Sequence, residues 1–305
     1  MIDDHSTDGT AELARDLARR LPRAPNVAVE VLQNPGPPGK AQALRAGLER
    51  LQASDLWILT DADVVHRPGS LLALVAAFER DPRLGLASAA QEFVRDLALD
   101  GRCLGADGAE PVPAAERYDR WTAAVRRVES RCGKLFSVHG QLLAWRRDTG
   151  VWPPPAIAAD DLALMLAVRR TGWRTALVSG ARFLEVKPGG APRAGQAQRR
   201  ARAYFQALRS ARARGFGAPI DRLQLALYAR LPAAAPWAYV LVVLLAPLAC
   251  AVSIGPWAGL WAALALGLVH CFGPGRDLLR LLALIERARR AEARAPLSDS
   301  WEMAR

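Results

Sequence analysis

The sequence predicts an α/β protein with a mostly parallel sheet flanked by helices, followed by a C-terminal transmembrane helical hairpin. Three observations support this class. Strand-like and helix-like apolar patterns alternate along the N-terminal part of the chain. The run Leu56–Leu59 is unbroken and apolar, which is typical of a strand buried on both faces of a parallel sheet. The stretch 231–275 contains no Asp, Glu, Lys or Arg.

The N-terminal elements follow from the spacing of apolar residues. Leu13, Leu17 and Leu21 recur every fourth position, which predicts an amphipathic helix over 10–21. Val27, Val29 and Val31 alternate with other residues, which predicts a strand. The next predicted elements are a turn at 34–39, a helix at 41–51, a strand at 56–60, a helix at 68–80 and a strand at 84–89.

The middle of the chain begins with residues 97–116, whose Gly, Asp, Ala and Pro content predicts a loop. A helix is predicted next at 117–131, and Leu142–Trp145 has the composition of a strand. A further helix begins at Asp160-Asp161 and ends near Gly172, because glycine commonly terminates helices. A short strand at 183–186 completes the predicted sheet.

The charge distribution argues against nucleic acid as a partner. Lys plus Arg number 41 against 30 Asp plus Glu, which gives a net charge of +11. The basic residues concentrate in 193–214 and 276–294, on either side of the uncharged stretch, and no nucleic-acid-binding motif accompanies them. Basic segments that flank an apolar span are typical of anchoring at the cytoplasmic face of a membrane.

The uncharged stretch is long enough for two membrane crossings, because each needs about 20 residues. We predict spans at 233–253 and 256–273, joined by a turn at Ser253–Pro256. A helical hairpin buried in a soluble core remains an alternative. The predicted organisation is an N-terminal domain at 1–215, a basic juxtamembrane helix at 216–232, two transmembrane helices at 233–274 and a basic cytoplasmic tail at 275–305.

The segment Thr60-Asp61-Ala62-Asp63 is the most informative candidate site. It directly follows a predicted strand, and ligands of open α/β sheets bind beyond the carboxyl ends of strands. Two carboxylates one residue apart suit a hard cation such as Mg²⁺ or Mn²⁺ bound together with a diphosphate. A solvated turn is the alternative for this segment taken alone.

Six motifs in order carry a resemblance to a known family. They are Asp-Asp-His-Ser-Thr-Asp-Gly-Thr at 3–10, Gly-Lys-Ala-x-Ala-Leu at 39–44, Thr-Asp-Ala-Asp at 60–63, His-Gly-Gln-Leu-Leu-Ala-Trp-Arg-Arg at 139–147, Asp-Asp-Leu-Ala-Leu at 160–164 and Gln-Arg-Arg-Ala-Arg at 198–202. Over about 1–210, the chain resembles family-2 inverting glycosyltransferases of GT-A fold. It is most similar to the membrane-bound branch with cellulose, chitin and hyaluronan synthases. The strand-helix-strand that precedes the first motif in that family is missing, so we expect an N-terminally truncated catalytic domain.

The resemblance implies a nucleotide-diphosphate sugar donor, with a UDP-sugar expected. Asp63 would hold Mg²⁺ or Mn²⁺ on the diphosphate, and Asp61 would lie near the metal or the nucleoside. Asp3 and Asp4 would contact the nucleobase or ribose, and Lys40 would contact the nucleotide. The alternatives are a helix-capping role for Asp3 and Asp4 and a solvated lysine at a helix start.

The same resemblance assigns the catalytic base to Asp161, with Asp160 as its neighbour. Adjacent carboxylates repel, so one pKa should rise towards neutrality, as a base requires. A double Asp helix cap is the alternative, and it is compatible with a base. His139 and Gly140 would line the acceptor side, although His139 could equally be structural.

Arg199 and Arg202 resemble the Gln/Arg-x-x-Arg-Trp segment that processive synthases place against the diphosphate and acceptor. Ala203 stands where tryptophan is expected, and the alternative register from Gln196 to Arg199 also lacks the aromatic residue. Sugar rings stack on aromatic faces, so the absence of an aromatic residue at this position argues against processive synthesis. A basic helix resting on anionic lipid is the alternative.

We therefore expect inverting transfer of a sugar to a lipid or polysaccharide acceptor. The reaction would take place at the inner membrane, with the catalytic domain in the cytoplasm. One alternative is a catalytically impaired membrane scaffold derived from such an enzyme. Another is a phosphatase of the haloacid-dehalogenase type, whose nucleophile motif also fits residues 61–65.

Overall fold

The computed structural model describes residues 1–20, 26–94, 117–153, 160–186, 194–216, 218–271 and 274–294. The predicted loop at 97–116 lies outside these residues. The chain divides into an N-terminal unit over 1–189 and a C-terminal unit over 190–297. The helix that begins at Ala194 therefore groups with the C-terminal helices, although the sequence places the domain boundary at 215.

The N-terminal unit alternates strands and helices. Its elements are β1 (Ile2–Asp3), α1 (Thr10–Arg20), β2 (Leu32–Gln33), α2 (Lys40–Arg50), β3 (Leu56–Thr60), β4 (Val65–His66), α3 (Ser70–Arg80), β5 (Leu84–Val94), α4 (Arg117–Arg131), β6 (Leu142–Arg146), a 3₁₀ turn (Arg147–Thr149), α5 (Asp160–Arg170) and β7 (Arg174–Val186). The five predicted helices of this unit are confirmed. The strand predicted over Val27–Val31 is wrong, because Val27 and Val29 are exposed and pairing begins only at β2.

The main sheet is mixed, which corrects the expectation of a mostly parallel one. Its strand order is β3-β6-β5-β7-β4, and β1 pairs with β2 in a separate parallel ladder. β6 runs antiparallel to both β3 and β5, β4 runs antiparallel to β7, and only β5 and β7 pair in parallel within this sheet. Apolar runs report burial but not strand direction, so the sequence could not distinguish these arrangements.

β3 is an edge strand of the main sheet, and it is not buried on both faces as its apolar run predicts. Trp57 is buried, whereas Ile58 is 37% exposed. β6 covers one edge of β3 in antiparallel register, with Leu59 opposite Leu143. The strand nevertheless ends where the sequence predicts, so that Asp61 emerges at its carboxyl end.

A continuous core fixes the sheet against α3. Leu74 and Phe78 of α3 pack with Leu142 of β6 and Phe183 of β7, all of them at most 3% exposed. Full burial of each such side chain stabilises the fold by about 1.5–3 kcal/mol. α5 packs against β5 and β7 with the residues Leu162–Leu166 buried, so its first turn is held firmly at the sheet.

The C-terminal unit is helical. It contains α6 (Ala194–Arg214), α7 (Pro219–Ser253), α8 (Pro256–Cys271) and α9 (Pro274–Arg294). Among the described residues, α7 is the one helix that is both long enough and apolar enough to cross a membrane. None of the residues in its most apolar 18-residue window is buried. The segment Pro256–Leu268 of α8 is apolar but shorter. Helix α7 ends before Ile254-Gly255, which separates it from α8 and lies within the predicted turn. The membrane hairpin itself stays a prediction.

Candidate functional site

Lys40 joins two of the predicted acidic motifs. It is the first residue of α2, and its Nζ donates a hydrogen bond to Asp61 Oδ1 at 2.9 Å. The same Nζ lies 3.7 Å from Asp160 Oδ2. Burial alone would lower the pKa of Lys40, but the charges of Asp160 and Asp61 outweigh it, so the pKa of Lys40 is raised. The lysine therefore carries its charge between two carboxylates from distant parts of the chain.

Asp4 is bound at the N-terminus of the same helix. The Gly39 backbone N–H donates to Asp4 Oδ2 at 2.8 Å, and the Asn34 side-chain amide donates to Asp4 Oδ1 at 2.7 Å. A carboxylate at a helix N-terminus satisfies free backbone donors and interacts favourably with the helix dipole. Asp4 therefore connects the first acidic motif to Gly39-Lys40. Asn34, whose side chain completes this contact, is a residue that the sequence showed only as part of a turn.

Asp3 is a buried carboxylate with unused hydrogen-bonding capacity. It is 3% exposed, and within the described chain its Oδ1 accepts no hydrogen bond. Buried polar atoms are nearly always satisfied in folded proteins, by protein, water or ligand. Asp3 Oδ1 is closed off from solvent in this structure, and the nucleoside-contacting role of Asp3 stays a prediction.

The Asp160-Asp161 pair forms the first turn of α5. Asp161 Oδ1 accepts a hydrogen bond from the Leu162 backbone N–H at 2.7 Å, so it satisfies one of the free backbone donors of the first helical turn. Burial and the neighbouring charge of Asp160 raise the pKa of Asp161 to about 6. Burial also raises the pKa of Asp160, although Lys40 opposes that shift. The side chain of Asp161 is thus ionised at neutral pH but is more basic than an ordinary aspartate.

Gly140 lies against Asp161, and its acceptor-side role stays a prediction. A Cβ atom on Gly140 would lie 3.1 Å from Asp161 Cβ and 3.2 Å from Asp161 Oδ2, which is tighter than ordinary van der Waals contact. His139 is different, because it is buried and its ring packs against Phe183 at 5.7 Å. Burial, together with the charge of Arg126, lowers the pKa of His139 to about 3, so its ring is neutral and has the environment of a core side chain.

A polar cluster that sequence reasoning missed adjoins these residues. The Asp61 backbone N–H donates to the Gln141 carbonyl at 3.2 Å, which ties the end of β3 to the residue after Gly140. The Gln141 side-chain amide donates to Glu185 Oε2 at 3.3 Å, and the Gln91 amide donates to the same oxygen. Gln91 and Glu185 belong to no motif, and their separation along the chain hides the contact from sequence analysis.

The segment that leads towards α5 is anchored on α2. The Trp152 ring packs edge-on against Trp57 with ring centroids 5.5 Å apart, and the Arg45 guanidinium lies over the Trp152 ring, 5.8 Å from its centroid. The Arg45 guanidinium also donates to the Pro153 carbonyl at 3.3 Å. These contacts fix residues up to Pro153 on the helix that carries Lys40.

Asp61 and Asp63 are the two carboxylates that the sequence predicts as cation ligands. Asp63 is exposed in the turn after β3 and makes no hydrogen bond or ion pair within the described ranges. No group of three or more His, Cys, Asp or Glu side chains that could hold a metal occurs among the described residues. Mg²⁺ commonly takes only one or two carboxylates, with waters and substrate phosphates completing its shell. Two carboxylates at a strand end therefore fit a cation that shares its shell with a diphosphate.

The predicted arginines lie in the C-terminal unit. Arg202 Nε is 3.8 Å from Glu292 Oε2, and Arg209 pairs with the other oxygen of that carboxylate at 2.8 Å. Glu292 belongs to α9 and is 2% exposed. The nucleotide-contacting role of Arg199 and Arg202 stays a prediction.

Replacing Lys40 with methionine should raise the pKa of Asp161 above about 6. The reason is that the charge of Lys40 lowers the pKa of Asp161, and methionine removes that charge while keeping an unbranched side chain. The measurement is a ¹³C-carboxyl NMR titration of aspartate-labelled protein, with the Asp161 signal assigned by its loss in Asp161→Asn. Lys40→Arg, which retains the charge, should leave the pKa nearly unchanged. An unaltered pKa in Lys40→Met would show that the lysine does not act on this carboxylate.

Comparison with known proteins gives one family match. A family model described as glycosyltransferase like family 2 matches residues 1–218. Those residues include the whole N-terminal unit and the acidic motifs described above. The comparison with curated protein sequences gave no match.

Solved structures show a similar fold. The mannosyltransferase PcManGT from Pyrobaculum calidifontis, in complex with GDP-Man and Mn²⁺, is 23% identical with a TM-score of 0.67, over 96% of this chain and 76% of its own. GalNAc-T7 with UDP, GalNAc and Mn²⁺ is 17% identical with a TM-score of 0.41, over 75% and 47%. S. aureus TarS 1-349 with UDP-GlcNAc is 12% identical with a TM-score of 0.46, over 96% and 81%. Only the first likeness is strong enough to support the fold.

Proposed function

The chain belongs to the glycosyltransferase like family 2 and is a glycosyltransferase with a GT-A-like fold, and on this premise we propose an inverting transfer of sugar at a membrane surface. The donor is a nucleotide-diphosphate sugar, and the acceptor is a hydroxyl group of a lipid or polysaccharide. The observation that carries the proposal is the convergence of Asp161, Asp160 and Asp61 around Lys40.

Asp161 is the proposed catalytic base. As the acceptor oxygen attacks the anomeric carbon, Asp161 takes the acceptor's proton and the bond from that carbon to the diphosphate breaks. A single displacement of this kind inverts the anomeric configuration. A base works best when its pKa lies near the working pH, and the pKa of about 6 at Asp161 meets this requirement. Gly140 supports the role, because the absence of a side chain lets the backbone approach the Asp161 carboxylate closely.

The donor side of the site is formed by β1, α2 and the end of β3. Asp3 is proposed to contact the nucleoside, as the resemblance implies. Asp61 and Asp63 would hold Mg²⁺ or Mn²⁺, which when bound neutralises charge on the departing diphosphate. Lys40 adds a point charge beside Asp61 and restrains its carboxylate. Arg199 and Arg202 are proposed to assist on the diphosphate side.

The proposed location is the cytoplasmic face of a membrane, with α7 and α8 as the anchor. Support comes from the exposed apolar surface of α7 and from the arginines that flank the uncharged stretch. PcManGT was solved with GDP-Man, whereas the sequence resemblance favours UDP-sugars. Both UDP-sugars and GDP-sugars are therefore candidate donors.

The full chain in membranes should transfer radiolabelled sugar from one member of a panel of UDP- and GDP-sugars into a lipid or polysaccharide fraction. Transfer should require Mg²⁺ or Mn²⁺, and the product should have the opposite anomeric configuration to the donor. Release of inorganic phosphate without transfer would instead indicate a phosphatase, and retention of configuration would contradict the role of Asp161. Absence of both reactions with every donor would favour the scaffold alternative.

A further inference from the structure

A cationic cavity in the C-terminal unit lies outside the site described above. It has a volume of about 220 Å³, and its lining includes Arg212 near the end of α6 and Arg222 and Arg230 on α7. Phe216, Leu225 and Ala229 form apolar parts of the wall. The cavity is therefore built from one compact unit and combines three guanidinium groups with an apolar surface.

The spacing along α7 explains why these residues share one wall. Arg222 and Arg230 are eight residues apart, so they lie on the same helix face, with Leu225 and Ala229 between them. Over the described ranges, Arg212, Arg222 and Arg230 form no ion pair and no side-chain hydrogen bond. Three like charges gathered without a carboxylate partner repel one another, and a bound anion would relieve that repulsion.

The position of the cavity identifies the class of anion. Arg230 is the last charged residue before the uncharged stretch that begins at Leu231. If α7 enters the membrane there, the three arginines lie at the level of the lipid headgroups, and Leu225 and Ala229, which lie between Arg222 and Arg230, form an apolar wall within the same layer. Guanidinium groups bind phosphate through paired hydrogen bonds. We propose that this cavity binds the phosphate headgroup of a lipid, with Arg212, Arg222 and Arg230 on the phosphate and Leu225 and Ala229 against the apolar part of the lipid next to the phosphate.

The test measures lipid binding without any sugar donor. Purified full chain in a neutral detergent is titrated calorimetrically with dihexanoyl phosphatidic acid, with dihexanoyl phosphatidylcholine and with inorganic phosphate. Phosphatidic acid should bind, and the other two probes should bind at least about tenfold more weakly, because each lacks either the exposed phosphate charge or the chain. Equal binding of inorganic phosphate would indicate a free-phosphate site, and equal binding of phosphatidylcholine would indicate chain contacts alone. Either result overturns the proposal.

Two variants locate the site. Arg222→Gln combined with Arg230→Gln should weaken phosphatidic acid binding at least about tenfold. Arg276→Gln with Arg287→Gln is the matched control, because it removes two exposed α9 arginines that lie outside the cavity lining. Equal weakening by both pairs would mean non-specific attraction and would overturn the proposal. Ala229→Phe fills the apolar wall without changing charge and should also weaken binding, and circular dichroism confirms that each variant is folded.

The inference rests on the proposed membrane placement of α7 but not on sugar transfer. A chain that transfers no sugar and still binds phosphatidic acid through Arg222 and Arg230 would retain the lipid site. A chain that transfers sugar but binds no phosphatidic acid would lose this inference and keep the enzymatic proposal. The two conclusions can therefore fail separately.

Discussion

Replacing Asp161 with asparagine should reduce kcat about 10²–10⁴-fold, the range that a positioned general base contributes. Asparagine cannot take a proton from the acceptor, yet its side-chain oxygen can still accept the hydrogen bond from the Leu162 backbone N–H. The helix start should therefore be preserved, and the KM for the donor should change little. A loss confined to kcat would separate proton transfer from substrate binding.

The measurement compares initial rates and donor binding for the wild type, Asp161→Asn and a matched control. Asp148→Asn removes an exposed carboxylate from the 3₁₀ turn after β6 and should leave both quantities unchanged. Asp160→Asn should reduce the rate less than Asp161→Asn, since Asp160 pairs with Lys40 and acts on the neighbouring pKa. If Asp160→Asn caused the larger loss of kcat, the two roles would have to be exchanged.

The pH dependence of the reaction should follow the titration of Asp161. Its pKa is raised from 3.8 to about 6, so the rate should fall as the pH drops through about 6, where the base becomes protonated. The contribution of Asp161 to the stability of the fold changes with pH in the opposite direction to the rate. Between pH 3.8 and 6 the folded protein binds a proton that the unfolded chain releases, so Asp161 makes the fold less stable as the pH rises through this window. At pH 8, Asp161→Asn should therefore unfold at the same or a higher temperature than the wild type.

The acidic residues of the candidate site could be selected from the sequence because each belongs to a local motif. Asp4, Asp61 and Asp161 follow recognisable strand or helix boundaries, and chemistry alone indicates what paired carboxylates can bind. Their connection through Lys40 could not be predicted from spacing. It depends on how α2 and α5 approach the end of β3, which is a property of the tertiary packing.

The errors in the predicted fold also arise because tertiary packing cannot be deduced from local sequence patterns. The valine alternation at 27–31 satisfies the strand pattern, but no neighbouring strand pairs with these residues. They therefore do not form a strand despite their β-propensity. The strand predicted at 183–186 is the end of β7, which begins at Arg174 and pairs along β5 with a register shift between Ala89 and Ala90. Pairing partners decide strand length and direction, and they are distant in the sequence. Gln91 and Glu185, which meet beside Gln141, were missed for this reason.

Replacing Asp63 with asparagine should raise the Mn²⁺ concentration needed for half-maximal transfer at least about tenfold, and lower the rate at fixed Mn²⁺ about 10²-fold. Asp63 suits this test because it is exposed and makes no contact within the described chain that its loss would disturb. The free energy of unfolding should consequently stay within about 0.5 kcal/mol of the wild type. Asp61→Asn is less informative, since it also removes the partner of Lys40.

A readout that is independent of catalysis comes from thermal unfolding with nucleotide and Mn²⁺. A ligand that binds only the folded protein raises its unfolding temperature, and the rise depends on affinity. The wild type should be stabilised by the nucleotide diphosphate and Mn²⁺ together, whereas Asp63→Asn should show little further stabilisation from the cation. Asp55→Asn is the matched control, because this carboxylate precedes β3 at its opposite end and its side chain is 94% exposed. An unchanged Mn²⁺ response in Asp63→Asn would remove this carboxylate from the cation site and leave Asp61 without its proposed partner.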